Sequence, residues 1–141
     1  MRITSIVTEF ADLVDWEHRY KHIIDLGKHL APLHENHKVD SHKVKGCQSQ
    51  VWLYGELVEG KVIFTADSDA AIVKGIIALL LRVYSQLSPD EILETRADFL
   101  QTIGLKQHLS MSRANGLNAM VKQIFMYALA FKTKIQLGQT S

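Results

Sequence analysis

Residues 67–87 constrain the fold more than any other part of the sequence. This segment, DSDAAIVKGIIALLLRVYSQL, begins with serine and aspartate residues that can cap a helix, and it is apolar on nearly every side. Its polar positions fall on one narrow stripe that contains Lys74, Arg82 and Ser85. A helix of this kind must be buried on most of its sides. The rest of the chain therefore has to supply elements that surround it.

A hairpin is predicted immediately before this helix. The stretches QVWLYGELV at 50–58 and KVIFTA at 61–66 are rich in β-branched and aromatic residues, as strands usually are. Glu59 and Gly60 separate them, and a short connection ending in glycine suits a tight hairpin turn. We therefore expect two antiparallel strands.

Long helices are expected before and after the hairpin. Asp15 is a good N-cap for a helix that starts at Trp16 and ends near Pro32, while Ser112 is the expected N-cap of a long C-terminal helix. The apolar stripe predicted for that last helix consists of Leu117, Met120, Val121, Ile124, Ala128, Phe131 and Ile135.

Two short helices are expected between the apolar helix and the C-terminal helix. Ser88, Pro89 and Glu91 have the capping-box pattern with proline at the first helical position. A second short helix is predicted from Asp98 to Ile103, with Gly104 ending it. Helices on both sides of a small antiparallel sheet indicate an α+β domain.

The composition is typical of one soluble globular domain spanning residues 1–141. With 47% hydrophobic and 22% charged residues, the chain can bury a core without a disulfide or a structural metal. Its net charge of +1 gives no reason to expect binding to nucleic acid or to a membrane surface. No cofactor-binding motif stands out.

The N-terminal region does not resemble a targeting segment. Glu9 and Asp12 interrupt the apolar run that a secretory signal needs, and a transit peptide would avoid acidic residues. The most apolar run, at 75–81, is far shorter than the roughly 20 residues that span a bilayer. The chain has a single cysteine and so no possible intramolecular disulfide. We therefore predict a cytoplasmic protein.

That single cysteine, Cys47, is the strongest chemical signal in the sequence. A thiol is nucleophilic only as thiolate, which nearby positive charge and exposed backbone N–H groups favour. Lys43 and Lys45 precede it in a polar stretch, and Gly46 can take backbone angles that turn the following amides toward the sulfur. An isolated cysteine is more often inert packing. Here its polar neighbours, KVKG before it and QSQ after it, argue for a reactive thiol.

The seven histidines leave a metal site open as an alternative. His18, His22 and His29 share one sector of the first predicted helix, which we interpret as a solvated face. A second group, His34, His37 and His42, approaches Cys47 in a polar segment at 34–45 that is predicted to be an exposed loop. A Cys/His zinc site is conceivable there, and so is a Cys-His catalytic pair.

Arg113 is a candidate for binding a partner or an anion. It stands in the first turn of the predicted C-terminal helix, where the helix dipole disfavours a positive charge. An ordinary exposed arginine is an equally good interpretation from the sequence. Asp67 and Asp69, in ADSDAA, are sufficiently explained as turn and cap residues.

Three motifs, GCQSQVW, DSDAAIVKGIIALLL and QHLSMSRANGL, appear in the order found in the SufE family of sulfur-acceptor proteins, which the chain resembles from about residue 16 to about residue 127. The resemblance implies a SufE/IscU-like α+β fold. It also implies that Cys47 takes the outer sulfur of a persulfide on a cysteine desulfurase of the SufS type and carries it to an iron–sulfur cluster scaffold complex. Pyridoxal phosphate would belong to the desulfurase, with no cofactor bound by this chain.

The resemblance also suggests roles for the neighbouring residues. Gly46 would bend the loop, Gln48 and Gln50 would hydrogen-bond the loop or the partner's backbone, and Ser49 would complete the supporting loop. Trp52 is expected to anchor the strand in the core. We hypothesise that Arg113 and Asp69 lie near the cysteine loop, where they dock the desulfurase or position the sulfur.

Three functions therefore remain to be compared. A persulfide carrier would depend on a desulfurase and on Cys47, and a lone cysteine favours it because a second thiol would discharge the persulfide by forming a disulfide. A zinc-binding module would use Cys47 with the loop histidines. A free-standing thiol hydrolase would act on a thioester or peptide without a partner.

Overall fold

The computed structural model describes residues 2–31, 33–45 and 49–138, and at positions 106, 107 and 112 only the backbone. Gly46, Cys47 and Gln48 lie outside the described residues, as does Pro32, the expected helix end. In chain order the elements are α1 (Arg2–Ala11), α2 (Trp16–Lys28), 3-10 helices at Glu35–His37 and Asp40–His42, β1 (Val51–Val58), β2 (Lys61–Ser68), α3 (Ala71–Tyr84), α4 (Pro89–Glu94), α5 (Phe99–Thr102), α6 (Leu105–His108) and α7 (Met111–Gln136).

The predicted hairpin is confirmed. Strands β1 and β2 pair antiparallel, with Val51 opposite Ser68 at one end and Val58 opposite Lys61 at the other. Glu59 and Gly60 form the turn with φ angles of 51° and 81°. Positive φ at both turn residues gives a twist that matches the strands.

The alternation of side chains along β1 overturns one expectation. Val51 and Leu53 are buried in the core, whereas Trp52 is half-buried on the opposite face and outside the core cluster. Successive residues of a strand point to opposite faces, so Trp52 cannot share the face of its neighbours. The prediction that Trp52 anchors the strand in the core is therefore wrong.

Helix α3 lies at the centre of the fold, as its apolar sequence requires. It packs against α2, β2, α1 and α7. The residues that it buries are Ile72, Val73, Gly75, Ile76, Ile77, Leu79, Leu80, Val83 and Tyr84. The crossing with α2 is very close: a Cβ added to Gly75 would lie 2.0 Å from the carbonyl oxygen of Ile23. Within the described part of the chain, no helix has the length and apolarity needed to cross a membrane.

Helix α1 was not predicted. Its buried residues, Ile6 and Phe10, are one helical turn apart and pack into the same core as α3. Glu9 of α1 accepts a hydrogen bond from His22 Nε2 (2.7 Å) and pairs with Arg82 (3.1 Å). The interpretation of His22 as part of a solvated face is therefore wrong, because α1 covers that part of α2.

The predicted short helices are confirmed as α4 and α5. Ser88 and Glu91 form the reciprocal capping box, and Gly104 follows α5 with a φ of 81°. Helix α7 begins two residues earlier than expected, because Ser110 rather than Ser112 is its N-cap. The members of its predicted stripe that are buried are Leu117, Met120, Ile124 and Ala128. The stripe does not extend to Ile135, which is exposed.

Candidate functional site

The segments on either side of the cysteine are joined by main-chain hydrogen bonds. The N–H of Val44 donates to the carbonyl oxygen of Val51 (2.8 Å), and Lys43 forms an isolated antiparallel bridge with Trp52. Val44 therefore lies next to Val51, the first residue of β1. Residues 45–50, which include Cys47, connect two adjacent positions at the open end of the hairpin.

Asp69 holds the C-terminal arm of this loop. The N–H of Gln50 donates to Asp69 Oδ1 (3.0 Å), and the N–H of Asp69 donates to the carbonyl oxygen of Gln50 (3.3 Å). This reciprocal pair lies one step beyond the last strand pair, Val51 with Ser68. Asp69 is therefore not a helix cap: the N-cap of α3 is Ala70, which makes no side-chain capping bond. Of the predicted site residues, the structure brings Asp69 and Gln50 together.

Asp67, two residues away, joins β2 to Lys38 in the histidine segment that precedes the loop. Its carboxylate contacts Lys38 Nζ at 2.9 Å and Lys74 Nζ at 3.4 Å, and it accepts the N–H of Ser68. Burial raises the pKa of Asp67, but the bonds from Lys38 and Ser68 and the charge of Lys74 outweigh burial and hold that pKa below its usual value. The sequence interpretation of Asp67 as a turn residue missed this role, since Lys38 is distant in sequence.

The histidine segment is partly packed instead of fully exposed. The ring of His37 stacks on Tyr54 with 3.8 Å between ring centroids, and His42 Nδ1 lies 2.9 Å from the carbonyl oxygen of His37. Leu33 and Val44, at either end of the segment, are buried. The described residues contain no group of three or more histidine, cysteine, aspartate or glutamate side chains arranged to hold a metal ion. Cys47 lies outside them, so the Cys/His zinc site stays a prediction.

Arg113 lies in the first turn of α7, where its N–H donates to Ser110 Oγ (3.3 Å). Its side chain is half-buried, and its Nη1 is a buried nitrogen that has no hydrogen-bond partner among the described residues. Buried donors of this kind are rare because they lose their water without replacing it. Among the described residues no ion pair joins Arg113 to Asp69. Its expected position near the cysteine loop stays a prediction.

Comparisons with known proteins agree with the motifs. The SufE family, described as an Fe-S metabolism associated domain, matches residues 4–128. A Synechocystis protein named as an uncharacterized SufE-like protein is 41% identical over 138 residues, which cover 98% of this chain and 84% of that protein. The solution structure of a hypothetical protein from Thermus thermophilus superposes with a TM-score of 0.78. The superposed region covers 94% of this chain and 96% of the Thermus chain, at 21% sequence identity. This match supports the predicted α+β fold. The chain therefore belongs to the SufE family, whose domain is associated with Fe–S metabolism.

Proposed function

We propose that this protein is a sulfur acceptor and carrier for iron–sulfur cluster assembly, with Cys47 as the acceptor. The donor is a cysteine desulfurase that uses pyridoxal phosphate and carries a persulfide on its own cysteine. The Cys47 thiolate attacks the outer sulfur, the sulfur–sulfur bond of the donor breaks, and a new one forms on Cys47. The donor cysteine leaves as a thiolate and takes a proton from water, so no oxidant or reductant is consumed.

The observation that supports this proposal most is the position of the only cysteine in a member of this family. Cys47 belongs to residues 45–50. The flanks of this segment are fixed by the main-chain hydrogen bond from Val44 to Val51 and by the hydrogen bonds between Asp69 and Gln50. Such a loop can present one thiol while its base stays in place. With no second cysteine in the chain, a persulfide on Cys47 cannot be lost to an intramolecular disulfide.

Asp69 and Arg113 have separate roles in this proposal. Asp69 is a positioning residue, because it fixes the backbone of Gln50 and through it the C-terminal arm of the loop. Arg113 supplies a cation whose Nη1 finds no hydrogen-bond partner in the described part of the chain. A persulfide anion or a carboxylate of the donor would form a hydrogen bond with that nitrogen.

Transfer of the sulfur to Cys47 also frees the cysteine of the desulfurase for another turnover. The protein therefore stimulates its sulfur donor.

The deciding experiment is the intact mass of the protein after incubation with the desulfurase of the same organism, pyridoxal phosphate and cysteine. We expect the addition of one or more sulfur atoms, reversed by a reductant and absent from Cys47→Ser. The variant should melt at the same temperature as the wild type. The desulfurase should turn over faster with the wild-type protein than with the variant.

Two results would contradict the proposal. An unmodified wild-type protein beside a desulfurase that is active with its own acceptor would reject the acceptor role. Addition of sulfur to the Cys47→Ser variant would reject Cys47 as the acceptor residue. Stoichiometric zinc in the purified protein, or hydrolysis of a thioester without any partner, would favour one of the other two functions instead.

A further inference from the structure

A groove runs between the segment that precedes the cysteine and helix α7. Its volume is about 520 Å³, and its lining includes Asp40, Lys43 and Lys45 on one side and Lys122 and Met126 on the other. Lys45 is followed directly by Gly46 and Cys47. Whatever occupies this groove therefore lies beside the cysteine loop.

The backbone explains why the lysines line the groove. Lys43 pairs with Trp52 of β1, and the next residue, Val44, is buried with 4% of its surface exposed. Lys43 and Lys45, on either side of Val44, are exposed and line the groove. On α7, Ala119, Lys122, Gln123 and Met126 follow one another at helical spacing and share one face.

The lysines that line the groove lack a carboxylate partner in the part of the chain that the structure describes. Among the described residues, Lys43, Lys45 and Lys122 form no ion pair, while Lys38, Lys74 and Lys132 each contact a carboxylate. Of the described residues that line the groove, Asp40 is the single acidic one. The net charge of the whole chain is only +1. The groove, with three lysines and one aspartate, therefore has a larger positive net charge than the chain as a whole.

We propose that this groove binds an acidic segment of the protein that delivers sulfur to Cys47, a step that rests on the function proposed above. The α7 side extends from Ala119 to Met126, about 10 Å at the rise of a helix, which suits a peptide segment better than a single small anion. Met126 is 53% exposed and offers an apolar contact at one end. Complementary charge would speed encounter and set the orientation in which the donor approaches the loop.

The test compares two triple variants of equal net charge. In one, Lys43, Lys45 and Lys122 are each changed to Glu; in the matched control, Lys28, Lys61 and Lys134 are changed to Glu. The control lysines lie outside the groove lining and also form no ion pair among the described residues. Circular dichroism melting would establish that both variants fold. The initial rate of sulfur addition to Cys47 is then measured at low desulfurase concentration over a series of NaCl concentrations.

We expect the groove variant to accept sulfur about tenfold more slowly than the control at low salt. The difference should narrow as NaCl approaches about 1 M, where exposed charges are screened beyond roughly 3 Å. Equal rates for the two variants, or a salt-independent difference, would overturn the proposal.

A second measurement separates this proposal from the proposed function. A fluorescein-labelled oligoglutamate peptide is titrated with each protein alone, and its anisotropy is followed. Binding by the wild type and the control, lost in the groove variant and in high salt, would support an acidic occupant even if no desulfurase modified the protein. Absence of modification by any desulfurase would reject the acceptor role, and with it the desulfurase as the occupant of the groove. Equal peptide binding by groove variant and control would overturn the groove itself.

Discussion

The α2–α3 crossing and the open end of the hairpin are held by opposite kinds of contact. At the crossing, Gly75 lies against the backbone of Ile23 and leaves no room for a methyl group. At the open end, exposed Asp69 and Gln50 are joined by polar contacts between a carboxylate, an amide and a carbonyl. Close packing tolerates almost no change in volume, whereas exposed polar contacts tolerate it well.

The difference separates stability from function in this molecule. At the crossing, Gly27 and Gly75 lie against the backbone of the opposite helix, so their contribution is close packing. At the open end, hydrogen bonds between Val44 and Val51 and between Gln50 and Asp69 fix the segments that flank Cys47. We therefore expect substitutions in the first region to lower the free energy of unfolding and those in the second to slow sulfur transfer.

Gly75→Ala should give the largest effect. Alanine is the better helix former by about 1 kcal/mol, so a site with free space would gain stability. Here the new Cβ would lie 2.0 Å from the Ile23 oxygen and 2.5 Å from its Cγ2, and the helices would have to separate. We expect a loss of about 3 kcal/mol in the free energy of unfolding, measured by urea denaturation.

Gly27→Ala tests the same crossing from the other helix, since its Cβ would lie 2.6 Å from the nitrogen of Gly75. Ala78→Gly, elsewhere in α3, measures the helix propensity together with the loss of one half-buried methyl group. An unchanged or higher stability of Gly75→Ala would show that the crossing is not close-packed.

Asp69→Ala should affect transfer more than stability. Without the carboxylate, the N–H of Gln50 loses its partner and the C-terminal arm of the loop is free to shift. We expect sulfur transfer to Cys47 to slow about tenfold, because small displacements of reacting groups are costly. The urea midpoint should change little, because both residues are exposed.

Asp69→Asn distinguishes positioning from charge. Asparagine keeps an oxygen that can accept the Gln50 N–H but removes the negative charge. Recovery of most of the wild-type rate would support a positioning role. A rate as low as that of Asp69→Ala would instead assign the effect to the charge, and hence to docking.

Asp67→Asn should have the smallest effect, and one that depends on pH. The pKa of Asp67 in the folded protein lies below its usual value of 3.8, so its ion pairs stabilise the fold above that pH. As the pH falls through the lower folded value, the carboxylate is protonated and this contribution is lost. We expect the variant to be less stable by about 1 kcal/mol at neutral pH.

The difference between wild type and Asp67→Asn should shrink as the pH falls below 3.8. Urea denaturation at a series of pH values measures it. Asp12→Asn is the control, because Asp12 forms no ion pair among the described residues. A difference that is independent of pH would show that the network at Asp67 does not depend on its charge.

Local patterns predicted much of the fold. The turn at Glu59 and Gly60, the capping box at Ser88 and the buried apolar helix follow from residues close together in the chain. Helix α1 was missed although Ile3, Ile6, Val7 and Phe10 have helical spacing. The start of α7 was placed at the wrong serine because Ser110 and Ser112 are equally good caps in isolation.

The candidate site was predicted only in part. Cys47, its loop and Arg113 were chosen from their neighbours in sequence, and Asp69 was hypothesised to lie near the loop, but its bond to the backbone of Gln50 was not visible there. Its partner, Gln50, is 19 positions away, and a local pattern favours the simpler role of a cap. The groove beside the loop was also invisible, since Lys43 and Lys122 come together only when α7 packs beside the hairpin.

The sequence by itself determined the hairpin, the buried helix that follows it, the lone thiol and the resemblance to the SufE family, because each depends on short-range patterns. Tertiary structure alone decided which polar side chains act on which. Asp67 binds two lysines, Asp69 binds a backbone amide, and His22 is covered by α1. The physical reason is that the partners of these charged and polar groups are contributed by distant segments, which meet only when the apolar helix α3 is buried among them.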